Sequence, residues 1–231
     1  MNVPPYVPEP IQVPGNVARE PHTVMLGFVR RVSVMHAGSL AIAYGIAFAP
    51  FPALPLQPAS VLAAALLACL SLVRTATRPS RLDLRLSLAV FPFLLVTLGW
   101  VLRGAMDEGL PVWSPLAGIG TALVYTFVCG RDYSFVGNLV LSAIVSSIAL
   151  AGASWAMGVP SLLSTEALLF NVVYLFYWVY DLASLLTRRR LGEEAGAVVD
   201  LYRDVLNGIT YPVQLLRHWR ESRIWNLKER L

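Results

Sequence analysis

The sequence predicts an all-α polytopic membrane protein: a bundle of seven helices whose seventh is semi-polar. Two observations carry that prediction. The 231 residues are 56% hydrophobic and 14% charged, with a mean hydropathy of +0.61, more apolar surface than a water-soluble domain can hide. The apolar residues also fall into runs of membrane-crossing scale, with basic residues standing between them. The net charge of +4 therefore reads as topology, not as a nucleic-acid-binding surface, and the partner it implies is a lipid bilayer.

The first 22 residues form a proline-rich tail (Pro4, Pro5, Pro8, Pro10, Pro14, Pro21) without the apolar core of a signal peptide, and are expected to be extended or disordered. The bundle follows over residues 23–216. Span one is about Val32–Ala49, ended by Pro50 and Pro52. Span two is about Ser60–Val73 with Arg74 at its end, and span three about Leu86–Leu102. Span four is about Leu116–Cys129. Span five, about Val136–Met157, is rich in Ser, Ala and Gly, as close helix packing in lipid favours. Span six is about Ala167–Leu186, with Ser164 and Thr165 before Glu166 read as its cap.

The seventh segment, about Ala197–Leu216, carries Asp200, Arg203 and Asp204, with Pro212 near its end. Six spans plus a re-entrant segment is the alternative to a full seventh crossing. The tail 217–231, "RHWRESRIWNLKERL", mixes five basic residues with Trp219, Ile224, Trp225 and Leu227, the pattern of an interfacial amphipathic helix or of a solvated helix end.

Basic residues orient the chain. Arg30 and Arg31 precede span one, four arginines lie between spans two and three, Arg131 follows span four, and Arg188, Arg189 and Arg190 follow span six. The alternate loop 50–59 carries no charge, and 158–166 carries only Glu166. The positive-inside rule then puts the N-terminus in the cytoplasm of a multi-pass inner-membrane protein. The basic tail favours a re-entrant seventh segment; its length favours a crossing.

Within the spans, few residues can carry chemistry. Cys69 and Cys129 read as small buried hydrophobes. His22, His36 and His218 are scattered, and His36 reads as a packed polar residue. The aromatic run "YLFYWVY" reads as helix packing and interface anchoring, and Gly118–Gly120 is too weak for a nucleotide loop. No nucleophile–base arrangement suggests an enzyme.

One constellation stands out. Asn171, Tyr174, Trp178 and Asp181 follow at steps of three, four and three, so they share one helical face. Asp200, Asp204, Asn207 and Tyr211 do the same in segment seven. The connection from Thr187 to Gly196 is short, so the two faces can meet. Topology puts Asp181, Asp204 and Arg74 at one depth near the cytoplasmic end.

Two carboxylates close together in a low dielectric titrate as a coupled unit, and an arginine beside them can latch one. Carboxylates are also the hard oxygen ligands calcium prefers, so Asp181 and Asp204 are the candidate calcium ligands. A proton- and calcium-sensitive gate is one reading. A helix-end ion pair that fixes packing is the other.

These stretches resemble the Bax inhibitor-1 family, also called the transmembrane Bax inhibitor motif family. "FVRRVSVMHAGSLAIAYGIA" is similar to its first helix, "GRDYSFVG" to its turn between helices four and five, and "VYDLASLL" to the tyrosine–aspartate motif of helix six. "VVDLYRDVLNGITYPVQLLR" is similar to its seventh helix. The resemblance implies a pH-sensitive calcium leak through seven helices, the seventh at the centre. In it, Asp181 and Asp204 match the paired aspartates, and Arg74 the arginine that latches them in bacterial members.

Asp200 and Arg203 are an extra acid and base, expected to modulate the pair together with Asn207 and Asn171. Ala63 stands where some members carry a glutamate. The alternative readings are a non-conducting partner, for example a regulator of a membrane AAA protease acting through the tails 1–22 and 217–231, or a structural subunit of a larger membrane complex.

Overall fold

A computed structural model describes residues 13–50, 52–77 and 81–205. Among these the chain forms seven α-helices and no strand: α1 (His22–Phe48), α2 (Leu56–Thr77), α3 (Arg81–Asp107), α4 (Pro115–Val128), α5 (Phe135–Ala156), α6 (Ser161–Arg188) and α7 (Glu194–Arg203). Five of them, α1, α2, α3, α5 and α6, are long and apolar enough to cross a membrane. The fold is an all-α polytopic membrane bundle. With 14 residues, α4 rises only about 21 Å, short of a hydrocarbon core of about 30 Å.

The bundle is built inside-out relative to a soluble one. On α5, Asn138, Ser142, Ser146 and Ser154 are buried, while Val140, Leu141, Ile144, Val145 and Ile148 face outward. Lipid can solvate the aliphatic face but offers no partner to a hydroxyl or amide, so the polar atoms turn inward.

Helix α2 packs along α3, and α1 along α3; α5 packs along α6 and α4. The described turns of α7 lie among α1, α2, α3 and α6, and every residue from Gly196 to Arg203 is buried. The seventh helix is thus central over the part described. Its course past Val205 lies outside the described residues, as do Asn207 and Tyr211, residues 1–12 and the tail 217–231, so the choice between a crossing and a re-entrant segment does too.

Two helix starts, and the burial of the cysteines, differ from the sequence reading. Helix α1 starts at His22, ten residues before the expected Val32, because Arg30 and Arg31 have partners inside the fold. Arg30 donates to Thr126 O at 2.9 Å and Phe127 O at 3.2 Å, two end carbonyls of α4 without intrahelical donors. Arg31 pairs with Glu194 at 2.8 Å. Helix α6 starts at Ser161, directly after Pro160. Thr165 is already inside it, its hydroxyl donating to Ser161 O at 2.8 Å, so Ser164 and Thr165 are not its cap. Neither cysteine is buried: Cys69 is exposed on α2 and Cys129 half-exposed after α4, where lipid or helix-end surroundings suit a thiol as well as a core does.

The proline-rich N-terminus is not a free tail over its described part. Val13 N–H donates to Thr187 O at 3.1 Å, Val17 N–H donates to Arg189 O at 3.0 Å, and Arg190 Nε donates to Pro14 O at 3.0 Å. Val13, Asn16 and Val17 are buried. The end of α6 leaves carbonyls without intrahelical donors, and this strap satisfies two carbonyls at that end while burying two valines. The strap and the arginines Arg30, Arg74, Arg131 and Arg188–Arg190 lie at one end of the bundle, hereafter the arginine-rich end.

Candidate functional site: a buried arginine–aspartate network

The last turns of α6 place Asp181, Ser184 and Arg188 at steps of three and four, one above another on one face. Asp204, the residue that closes α7, comes against them. The Arg188 guanidinium donates to Asp181 Oδ1 and Ser184 Oγ on its own helix and to Asp204 Oδ2 on α7. Ser184 Oγ donates to Asp181 Oδ1 at 3.0 Å. Both aspartates are buried. The two carboxylates predicted from spacing therefore do meet.

The arginine between them is Arg188, where the sequence reading had Arg74. Arg74 donates instead to Asp83 Oδ2 at 2.7 Å, across the short connection between α2 and α3. Asp83 captures Arg74 because it lies only nine residues on and closes a local pair. The sequence did hold a signal for Arg188: it stands seven residues after Asp181, two turns on along the same face. Its place in a run of three arginines made it read as topology alone.

A second assembly adjoins the first. Asp200, one turn before Asp204, accepts Arg189 Nε at 2.6 Å and Arg189 Nη2 at 2.8 Å, two parallel bonds of the fork type, and also bonds Arg203. Asp83 lies 3.9 Å from both Arg189 and Arg203. Burial lowers the proton affinity of the Arg189 guanidinium, and the Asp83 and Glu193 carboxylates act against that shift. Asp200 and Arg203 thus belong to the network itself, as anchors of Arg189 and of each other.

Together Asp83, Asp181, Asp200 and Asp204 face Arg74, Arg188, Arg189 and Arg203. Four carboxylates meet four guanidiniums, contributed by α2, α3, α6, α7 and the residues that close α6 and α7, with the more exposed Glu193 3.9 Å from Arg189. Buried ions need this pairing, because an uncompensated one costs several kcal/mol.

Calcium does not fit as a resident ion in this arrangement. It takes about six to eight oxygen ligands. Asp181 and Asp204 give two carboxylates, each already bound by Arg188, and the described residues hold no cluster of three or more metal-ligating side chains.

Towards the other end of the bundle the polar face of α6 changes role. His36 is buried, with Nε2 3.1 Å from the Tyr174 hydroxyl and its ring stacked on Trp178, the packed residue expected. Ser39 Oγ lies 2.7 Å from the Tyr202 hydroxyl. Beyond them an apolar cavity of about 280 Å³ is lined by Leu40, Tyr44, Leu98, Ile119, Tyr174 and Tyr202 among others.

Asn171 shares the face of Asp181 but not its site. It is ten residues, about 15 Å of helix, away. Its Oδ1 accepts Gly118 N–H at 2.8 Å and its Nδ2 donates to Ser146 Oγ at 2.8 Å, tying α6 to α4 and α5. A Cβ at Gly118 would stand 2.6 Å from Asn171 Oδ1, so only glycine allows this approach. Gly118→Ala is expected to push the amide off and cost about 1–3 kcal/mol, read as a lower unfolding midpoint in detergent.

Compared with protein-family models, with curated proteins and with solved structures, the chain matches none.

Proposed function

We propose that the protein is a pH-sensitive cation leak of the Bax inhibitor-1 type in the inner membrane, its arginine-rich end in the cytoplasm. The Asp181–Arg188–Asp204 bridge is its gate, and calcium is the cargo, with no resident metal. The observation that carries this reading is a half-buried guanidinium shared by two buried carboxylates, one on α6 and one closing α7, which is central to the bundle. Such a bridge ties α6 to α7 only while both carboxylates are ionised. Each proton added removes one charge that Arg188 holds, so acid loosens the tie. Separation of the two faces then opens a path towards the cavity.

Calcium flux into liposomes over a pH series tests it. The wild-type chain is expected to leak in a pH-dependent manner. Asp204→Asn, which leaves Arg188 held only within α6 by Asp181 and Ser184, is expected to leak with its pH dependence flattened. If Asp204→Asn changes neither the flux nor its pH profile, the gate is not here.

A second reading is a non-conducting membrane partner or structural subunit. The charge balance of the network and the strap docked on the end of α6 favour it, since both make the arginine-rich end a closed, packed surface. Absence of flux at every pH, with a stoichiometric partner that is lost on deleting residues 1–21, supports that reading over the leak.

A further inference from the structure

The cavity in the half of the bundle away from the arginine-rich end draws its walls from α1, α2, α3, α4, α6 and α7. Its volume of about 280 Å³ is nearly twice the roughly 150 Å³ of an apolar cavity that stays dry and takes up benzene. Among the described residues no charged side chain lines it.

Three tyrosines reach the wall, and each hydroxyl is bonded to protein. Tyr44 donates to Val112 O at 2.5 Å, and the Tyr174 hydroxyl lies 3.1 Å from His36 Nε2. Ser39 Oγ donates to His36 O at 2.7 Å, so the Tyr202 hydroxyl is the donor in its 2.7 Å bond to Ser39. What the wall offers a guest is aliphatic carbon and ring faces. A bound water needs two to four polar partners, so this wall suits hydrocarbon instead.

The cavity opens on the lipid side. Leu116 of α4 and Phe170 of α6 line it, yet they are 40 and 43% exposed. Each stands on the outward face of its helix. Leu116 precedes exposed Gly120 and Val124 at steps of four, and Phe170 precedes exposed Val173 by three. Helices α4 and α6 pack together, so the inner wall and the lipid face meet at this pair. Trp113, exposed in the turn before α4, stands where tryptophans mark the membrane interface, which puts Leu116 about one turn inside it.

We propose that this cavity is a binding site for one acyl chain of a membrane phospholipid, which enters sideways past Leu116 and Phe170. The bilayer supplies such chains at the mouth at a higher concentration than any other apolar molecule. A chain inside restores the contacts that a void lined by carbon forfeits. Ala43 and Tyr202, 1 and 7% exposed, form part of the inner wall that its end touches. The headgroup stays outside, so the site selects the chain and not a charge. This inference goes beyond the leak reading and does not rest on it.

Photolabelling of the full chain in nanodiscs tests it, with phosphatidylcholine carrying a diazirine at the end of one acyl chain. Insertion at Ala43 and Tyr202, which bulk lipid does not reach, is expected beside insertion at outward residues such as Val124 and Ile148. Leu116→Trp narrows the mouth at an exposed position, and Ala43→Leu puts a longer side chain inside. Each is expected to cut insertion at Tyr202 roughly tenfold and to leave Ile148 unchanged.

Insertion at Val124 and Ile148 with none at Ala43 or Tyr202 means that lipid does not enter, and overturns the proposal. Equal insertion at Tyr202 in the wild type and both variants overturns it too, since the chain then arrives by another way. Insertion at Tyr202 from a diazirine fatty acid but not from the phospholipid overturns the assignment of the ligand. None of these readouts needs ion flux, so failure of the leak leaves the site standing.

Discussion

Asp200→Ala is expected to lower the stability of the bundle by about 3–5 kcal/mol, the range for removing one partner of a buried, hydrogen-bonded charge network. Its carboxylate is fully buried and accepts from two guanidiniums, Arg189 and Arg203. Without it both arginines stay buried with Asp83 3.9 Å away, too far for a good hydrogen bond. Asp200→Asn keeps the volume and removes the charge, so it is expected to fall nearly as far.

Removing Arg203 as well, in Asp200→Ala/Arg203→Met, takes away one stranded charge and is expected to recover part of the loss. The contrast is Glu194→Gln. It breaks the Arg31–Glu194 pair, whose arginine side chain is 56% exposed, and exposed pairs contribute about 0–1 kcal/mol. Unfolding midpoints of the variants in one detergent rank the two cases. Equal midpoints for Asp200→Ala and Glu194→Gln show that the buried network carries no special stability.

How much of this was legible in the sequence depends on whether the deciding partner is local. Apolar runs announced the helices, because lipid requires an apolar surface over a whole span. The ends were misplaced where a charge is solvated inside the protein: Arg30 looked like a boundary, and only the end of α4, some ninety residues on, shows why it is not. Asp181 and Asp204 were legible because helical spacing and a short connection bring them together. The choice of arginine was not. Each basic residue near the aspartates reads the same way in a line of letters, and Asp83, which holds Arg74, lies before the expected span of about Leu86–Leu102.

The N-terminal strap was hidden by composition. Prolines and few charges read as an extended tail, and Pro14 and Pro21 are compatible with that. What pulls residues 13–20 onto the bundle is the carbonyls at the end of α6 and a pocket for Val17, both distant in sequence. Asn171 shows the converse: the face it occupies was read correctly, but one face of a helix of 28 residues serves two purposes at two depths, a brace to α4 and α5 and an ion site at the other end.

Arg188→Leu separates a gate from a staple. The substitution removes the guanidinium from between Asp181 and Asp204 and leaves two buried carboxylates facing each other, at a cost of about 3–5 kcal/mol near neutral pH. It also inverts the response to acid. In the wild type, protonating the carboxylates removes what Arg188 binds, so the tie is lost as pH falls. In Arg188→Leu the bridging cation is gone, and the same protons neutralise a repelling pair, so the variant gains stability relative to wild type as pH falls. Arg188→Leu/Asp181→Asn removes the repulsion by mutation and is expected to be more stable than Arg188→Leu at neutral pH and flat where that variant slopes. Unfolding across a pH series reads all three. If Arg188→Leu tracks the wild type at every pH, the bridge contributes nothing and neither reading of it survives. If stability inverts as described and calcium flux stays absent, the bridge is a staple between α6 and α7. If flux appears in Arg188→Leu without acid, the same loss of the tie that acid produces in the wild type has opened the path, and the bridge is the gate.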